Sequence, residues 1–357
     1  MIKISVIIPV YNAENYIENC IERLESQTYK NFEIVAINDA SSDNSLGLLN
    51  KLCKKYKNLV IINLKKNSGA YFARQEGIKN ATGDYIMFVD SDDYISDYTM
   101  EKLVKFINNE HVDIVRFRYQ TYPKTIYSSE IFSENQKIIT EDEKGIIYDL
   151  LLSSKKLNNL STMIAKKQLF DNSRLDERIS LAEDYLQCCY VYTNAKKILF
   201  INDIFYFYYM NENSTTHSKD LNIIIENVRD EITVYKYLKK IIEIWELEDK
   251  NDLILMRALN EIVDLLFIKL YSDDTYDELK AKSVIDYMLN DKTCINFLEK
   301  NFANNSKKLF YHNGNVSIFS KILKYKYKKY LVSRNRKKLI SYGKFINKIY
   351  KLKNRGI

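Results

Sequence analysis

Apolar positions in the first hundred residues alternate between two periods. Ile4-Ser5-Val6-Ile7-Ile8 is a near-continuous β-branched run, as in a strand covered on both faces of a parallel sheet, and Ile17, Cys20, Ile21 and Leu24 then recur on one helical face. The unit repeats. Residues 32–37 read as strand, Leu46, Leu49, Leu52, Cys53 and Tyr56 as a helix face, 59–64 as strand, 70–80 as helix and 85–89 as a fourth strand. Short strands alternating with helices predict an α/β fold: a twisted sheet with right-handed crossovers, whose ligands lie beyond the strands' carboxyl ends.

The pattern loosens after residue 100. Leu103, Val104, Phe106 and Ile107 predict a helix, 112–119 a strand, 126–132 a further strand and 145–152 a helix. Residues 183–192 read as helix, and 198–201 and 204–210 as two strands. From about 221 the spacing is helical throughout, with Ile225, Val228, Ile232, Tyr235 and Leu238, then Leu255, Leu259, Ile262, Leu265 and Leu266. A boundary is expected near residue 219.

Composition narrows the class. The chain has 357 residues, 46% hydrophobic and 28% charged, which excludes disorder as its main state, and only 8 Gly and 2 Pro exclude collagen-like or linker-rich architectures. The net charge of +7 is unevenly placed: residues 319–357 hold 14 Lys or Arg and no Asp or Glu, leaving 40 cationic against 47 acidic residues before them. Five Cys in an odd set, without CxxC or His-rich spacing, predict reduced thiols rather than disulfides or zinc. The opening residues show no basic-then-apolar leader, and no run of about 18 apolar residues is present, so a cytoplasmic protein is expected.

The candidate chemistry sits at the ends of the early strands. Tyr11-Asn12 follows the first, Asn38-Asp39-Ala40-Ser41-Ser42-Asp43 the second, Asn67-Ser68-Gly69 the third and Asp90-Ser91-Asp92-Asp93 the fourth, all on the ligand-binding edge. Asp90 and Asp92 project to one side of an extended segment and can share a hard cation; carboxylates with few competing His or Cys suit Mg²⁺ or Mn²⁺. A solvated turn is the other reading of the same residues. Asp39 can accept a hydrogen bond from a pyrimidine imino group with Tyr11 as a stacking ring, or can serve an Asx turn beside an ordinary core-edge aromatic. Arg74 can neutralise a phosphate or stand as a surface cation.

Together these segments resemble glycosyltransferase family 2. The residues that carry the resemblance are Ser5-Val6-Ile7-Ile8-Pro9-Val10-Tyr11-Asn12, Asn38-Asp39-Ala40-Ser41-Ser42-Asp43-Asn44-Ser45, Asn67-Ser68-Gly69 with Arg74, Gly83 through Asp93, and Glu183-Asp184. The likeness covers roughly residues 1–215. It implies a GT-A fold, a Rossmann-like mixed sheet with a C-terminal helical extension, and inverting transfer of a sugar from a UDP-sugar. The region 163–214 looks most like bacterial enzymes that build lipooligosaccharide, capsule or teichoic-acid glycans. The resemblance also implies roles: Pro9, Tyr11, Asp39, Asn67, Gly69, Arg74, Asp90 and Ser91 would contact the donor, with Tyr11 and Asp39 on uracil. Asp92 would ligate Mn²⁺ or Mg²⁺ with Asp90 beside it, and Asp184, next to Glu183, would be the general base. In the first turn of a helix, Glu183 and Asp184 also oppose the helix dipole favourably.

Two departures stand out. The family usually has two acidic residues where this chain has Asn38-Asp39, and many relatives carry an Arg near Tyr209, Met210 and Asn211 that reaches the diphosphate; here metal, Ser214 or His217 would substitute. The expected domains are 1–219 (1–100 for the nucleotide-sugar, 101–219 for acceptor and base), a helical 220–318, and a basic amphipathic tail, 319–357. Cations interleaved with Ile322, Leu323, Tyr325, Tyr327 and Tyr330 suit an anionic membrane surface, which would place the enzyme on the inner face of the cytoplasmic membrane near a lipid-linked glycan acceptor. The apolar helical faces after 219 could serve a homodimer.

Two other function classes were weighed. A nucleic-acid or membrane-binding protein acting through the tail would need phosphate attraction to offset an acidic body with no zinc finger, RNP signature or GxxG clamp, so no nucleic-acid partner is expected. A sugar nucleotidyltransferase usually has a Gly-rich, cationic loop after the first strand, where this chain has Tyr11-Asn12-Ala13-Glu14.

Overall fold

A computed structural model describes residues 1–210, except 155, 172–174 and 176–178, and residues 221–262, except 252, 256, 259 and 260. The chain divides into two units, Met1–Glu212 and Asn213–Ile357. The expected divisions at 219 and 318 fall outside the described residues.

In the first unit the expected alternation forms as β1 (Ile4–Val10), α1 (Ile17–Glu25), β2 (Phe32–Asn38), α2 (Ser45–Lys55), β3 (Leu59–Asn63), α3 (Ala70–Asn80) and β4 (Tyr85–Phe88). These four strands are parallel, in the spatial order β3-β2-β1-β4. The β-branched run is buried on both faces for a visible reason. Ile4, Val6, Ile8 and Val10 join Ile17, Cys20, Ile21 and Leu24 of α1 and Leu49 and Leu52 of α2 in one apolar cluster. On the other face α3 lies against β1 and β2 so closely that a side chain at Gly77 would strike Ile7 and Ile37.

The sheet continues through β5 (Tyr94–Ile95), β6 (Ile114–Tyr122), β7 (Gln136–Thr140), β8 (Met163–Lys166) and β9 (Lys197–Tyr209), in the order β4-β8-β6-β9-β5 with β7 also on β9. The four-residue β8 lies antiparallel between β4 and β6, which makes the sheet mixed. Helices α4 (Thr99–Glu110), α5 (Lys144–Ser153) and α6 (Glu183–Asn194) complete the unit.

Three expectations change here. Residues 126–132 form no strand: Ile126 and Tyr127 are exposed, ladder pairing is limited to the bridge from Tyr127 to Gln120, and the run is covered at its far end, where Phe132 packs against Phe200. The strands expected at 198–201 and 204–210 are one strand, β9, whose register against β6 shifts near Arg118. Strands β5, β7 and β8, of two, five and four residues, are additions.

In the second unit α7 (Leu221–Ile244) follows the expected helical spacing and buries Val228, Ile232, Tyr235 and Leu238. Among the described residues no helix is long and apolar enough to cross a membrane.

Candidate active site

The candidate residues gather where the sheet places ligands, and local backbone geometry sets them there. Non-glycine residues with left-handed backbone are few. Three of the five among the described residues, Asn12 (φ +50°), Ala40 (+54°) and Ala182 (+62°), directly adjoin Tyr11, Asp39 and Glu183. Such conformations cost free energy and persist where the surrounding structure imposes them, often at functional sites. Gly69, at φ +89°, makes the corresponding turn before α3.

The first two strand ends are laced together. Asn12 N–H donates to Ser41 Oγ (3.0 Å), Ser42 N–H to Asn12 Oδ1 (2.8 Å), Ala13 N–H to Ser45 Oγ (2.8 Å) and Glu14 N–H to an Asp43 carboxylate oxygen (3.0 Å). The Ser- and Asp-rich segment after β2 therefore holds the neighbouring loop. Tyr11 is left 51% exposed, and Pro9 sits partly exposed within β1 opposite Ile37. Asp39 is buried and accepts from the backbone N–H groups of Ser68 (2.8 Å) and Gly69 (2.7 Å), so its carboxylate braces the loop after β3. Asn67 is exposed at the start of that loop. Asn38, where the family usually has an acid, is buried and donates through Nδ2 to Asn63 Oδ1 at 2.7 Å, an amide pair that adds no charge.

Arg74 turns out to be a centre rather than a free phosphate ligand. It is 5% exposed, and its guanidinium meets Asp184 at 2.6 Å, Asp90 at 3.1 Å and Glu183 at 3.6 Å. Burial opposes its charge, but the carboxylates of Asp184, Asp90 and Glu183 outweigh that and hold it cationic. Gly77, three residues on, lets α3 seat deeply enough to bring Arg74 under the strand ends. Glu183 and Asp184 are the first two residues of α6, so the helix-dipole reading and the site reading describe the same placement. Burial raises the Asp184 carboxyl pKa, Arg74 opposes the rise, Asp90 adds to it, and the net direction is upward. One cation shared among three acids leaves excess negative charge, and Asp184 becomes a stronger base than an ordinary aspartate.

Asp90, Ser91 and Asp92 form the loop leaving β4. Asp90 also accepts from Ser161 Oγ at 3.4 Å. Burial and the Asp90 charge raise the Asp92 pKa against a backbone hydrogen bond, and among the described residues no cation pairs with it. Among the described residues no group of three His, Cys, Asp or Glu side chains converges as a metal cage. Two carboxylates with a charge deficit on Asp92 nevertheless fit an ion of the Mg²⁺ or Mn²⁺ kind, which commonly takes one or two protein carboxylates and completes its shell with water and substrate phosphates.

Asp93 belongs to this loop as well, and Tyr206 of β9 meets it. Asp93 is 1% exposed and accepts from Tyr206 Oη (2.6 Å) and Tyr209 N–H (2.7 Å), while Tyr206 Oη accepts from Asp90 N–H (3.1 Å). The alternating aromatics of 204–210 indicate which tyrosines share a face, but not that Tyr206 meets a carboxylate 113 residues earlier in the chain. Ser214, His217 and Asn211 lie outside the described residues. Met210 is exposed.

Residues 5–178 match the family model for glycosyl transferase family 2. The chain is 34% identical over 209 residues to a poly(ribitol-phosphate) beta-glucosyltransferase of Bacillus spizizenii, which covers 58% of this chain and 32% of that protein. It is 32% identical over 211 residues to the poly(ribitol-phosphate) beta-N-acetylglucosaminyltransferase TarS of Staphylococcus aureus, over 58% of this chain and 35% of that one. Glycosyltransferase GlyA of Streptococcus pneumoniae is 29% identical over 245 residues, 65% of this chain and 34% of its own length. The chain thus spans about a third of the length of these relatives. A crystal structure of TarS residues 1–349 with UDP-GlcNAc superposes with a TM-score of 0.54 at 22% identity, over 89% of this chain and 95% of that one. Its likeness is one of fold, and it agrees with the mixed sheet described above. Residues 5–178 thus match glycosyltransferase family 2, and the chain is built on a GT-A fold.

Proposed function

We propose that the protein transfers a sugar from a UDP-sugar to a hydroxyl group of a cell-surface glycan by single displacement with inversion. The observation that carries this reading is the convergence of Asp90, Glu183 and Asp184 on Arg74 beside the Asp92 loop. Inverting transfer needs one carboxylate to take the acceptor hydroxyl proton while its oxygen attacks the anomeric carbon and the bond from that carbon to the diphosphate oxygen breaks. Asp184 has the raised basicity for that proton, and Arg74 fixes its orientation. The bonding pair leaves with UDP, and no covalent enzyme intermediate is needed.

Asp92, with Asp90, would hold Mg²⁺ or Mn²⁺, which supplies positive charge to the departing diphosphate. Tyr11 offers the exposed ring for uracil. Asp39 retains unused lone pairs for the base imino group after bracing Ser68 and Gly69. The names of the relatives make a hydroxyl-rich polymer such as a poly(polyol phosphate) the favoured acceptor class, ahead of lipooligosaccharide or capsule.

UDP release from UDP-glucose, UDP-N-acetylglucosamine, UDP-galactose and UDP-N-acetylgalactosamine, with Mn²⁺ and with Mg²⁺, tests the donor. Release from at least one of the four is expected. Turnover of GDP- or CMP-sugars with none from UDP-sugars would reject it.

Residues 319–357, outside the described residues, add a second element: their 14 cations would bring the enzyme to an anionic membrane, each cation near the headgroups contributing about 1 kcal/mol. The full chain should co-sediment with phosphatidylglycerol vesicles, and deleting 319–357 should abolish this. Equal sedimentation of both forms would remove the membrane role.

A further inference from the structure

The loop that carries Asp90 and Asp92 has an unusual mechanical task. It leaves β4 and ends in β5, which pairs with β9, so its five residues, 89–93, lead past the amino end of β8 and past β6 with no ladder partner of their own. It also gathers three carboxyl groups, Asp90, Asp92 and Asp93, within four residues. Its internal support is one turn bond, Asp93 N–H to Asp90 C=O at 3.0 Å. The Asp90 side chain is held by Arg74 and Ser161, while the rest of the loop is held from β9: the Tyr206 hydroxyl accepts from Asp90 N–H and donates to the Asp93 carboxyl group, and Tyr209 N–H donates to the other oxygen of Asp93. Asp93 thus points into the protein, away from any ligand, and Tyr206 is fully buried.

We propose that Asp93 and Tyr206 are positioning residues that clamp this loop at both ends and fix the Asp90 and Asp92 carboxylates in the register that grips a divalent cation and the donor diphosphate. The inference rests on the proposed donor reading and goes beyond it by assigning a function to two side chains that touch neither ion nor nucleotide. The clamp is built from one neutral hydroxyl and one backbone N–H, so it restrains the loop without setting a cation beside Asp92, whose charge must remain available to the metal. Outer-shell hydrogen bonds of this kind typically govern metal affinity by about 10- to 100-fold.

The test uses the full chain with Tyr206→Phe, which removes one oxygen from a buried ring. UDP affinity is measured by calorimetric titration with Mn²⁺ and again with chelator, alongside thermal unfolding. The clamp predicts that UDP affinity in Mn²⁺ falls about tenfold or more, while affinity in chelator, which reports base and ribose contacts, stays within about twofold. Asp93→Asn keeps a carbonyl for the Tyr206 hydroxyl but turns an amide donor toward Tyr209 N–H, and should give a smaller loss of the same kind. Wild-type affinity in both variants, or equal losses with and without Mn²⁺, would overturn the clamp. A wild-type chain that binds no UDP under either condition would overturn the donor reading as well, so the two failures are distinguishable.

Discussion

Asp184→Asn should lower kcat for sugar transfer by about 10²- to 10⁴-fold, the range expected when a general base is lost, and leave UDP affinity within a few-fold of wild type. The amide is nearly isosteric and can still accept from Arg74, while Asp90 and Glu183 continue to balance the guanidinium, so the site should hold its shape. What disappears is the carboxylate that takes the proton. The pH profile supplies a second readout. Only the ionised form of Asp184 acts as a base, so activity falls as pH drops through its pKa. Burial and Asp90 move that pKa up against the pull of Arg74, and the acid limb of wild-type kcat should therefore lie above the ordinary aspartate range. Near-normal turnover in Asp184→Asn, or an acid limb at the ordinary position, would remove Asp184 from the role.

Asp92→Asn should produce a trade-off between function and stability. Metal-dependent UDP release should fall by at least about 10²-fold, because the carboxylate with no counter-cation of its own is the one available to a divalent ion. The protein without metal should become more stable. Burial and the Asp90 charge raise the Asp92 pKa in the folded state, so the folded form binds this proton more tightly than the unfolded chain does. The group then favours folding at low pH, and that contribution is lost as pH rises through the folded pKa. Replacing it with a neutral amide removes the penalty at neutral pH. The gain would appear as a rise in the melting temperature. Loss of activity with an unchanged or lower melting temperature would mean that Asp92 is not held under electrostatic strain. Undiminished release in chelator would remove the metal role altogether.

How much of this could be read from the chain depends on the range of each interaction. The alternation of β-branched runs with helical faces through residue 89 is a local property, since each element must cover its apolar side within a few residues, and the four parallel strands and three helices formed as expected. The site's edge followed from the same pattern, because strand ends in such a sheet converge. Asparagine at position 12 suits a left-handed backbone, but the same conformation at Ala40 and Ala182 left no mark in residue type.

By itself, then, the sequence determined the repeated strand-helix units, the placement of Tyr11, Asp39, Asp90 and Asp92 at one edge, and the helix that begins at Glu183. Only tertiary structure decided that Met163–Lys166 slips antiparallel between β4 and β6, that Arg74 binds Asp184 from 110 residues away, and that Tyr206 holds Asp93. The division has a physical cause. Periodicity records which side of an element must leave water, whereas the pairing of buried polar groups depends on which elements the sheet order makes neighbours, and that order is settled by packing of the whole unit.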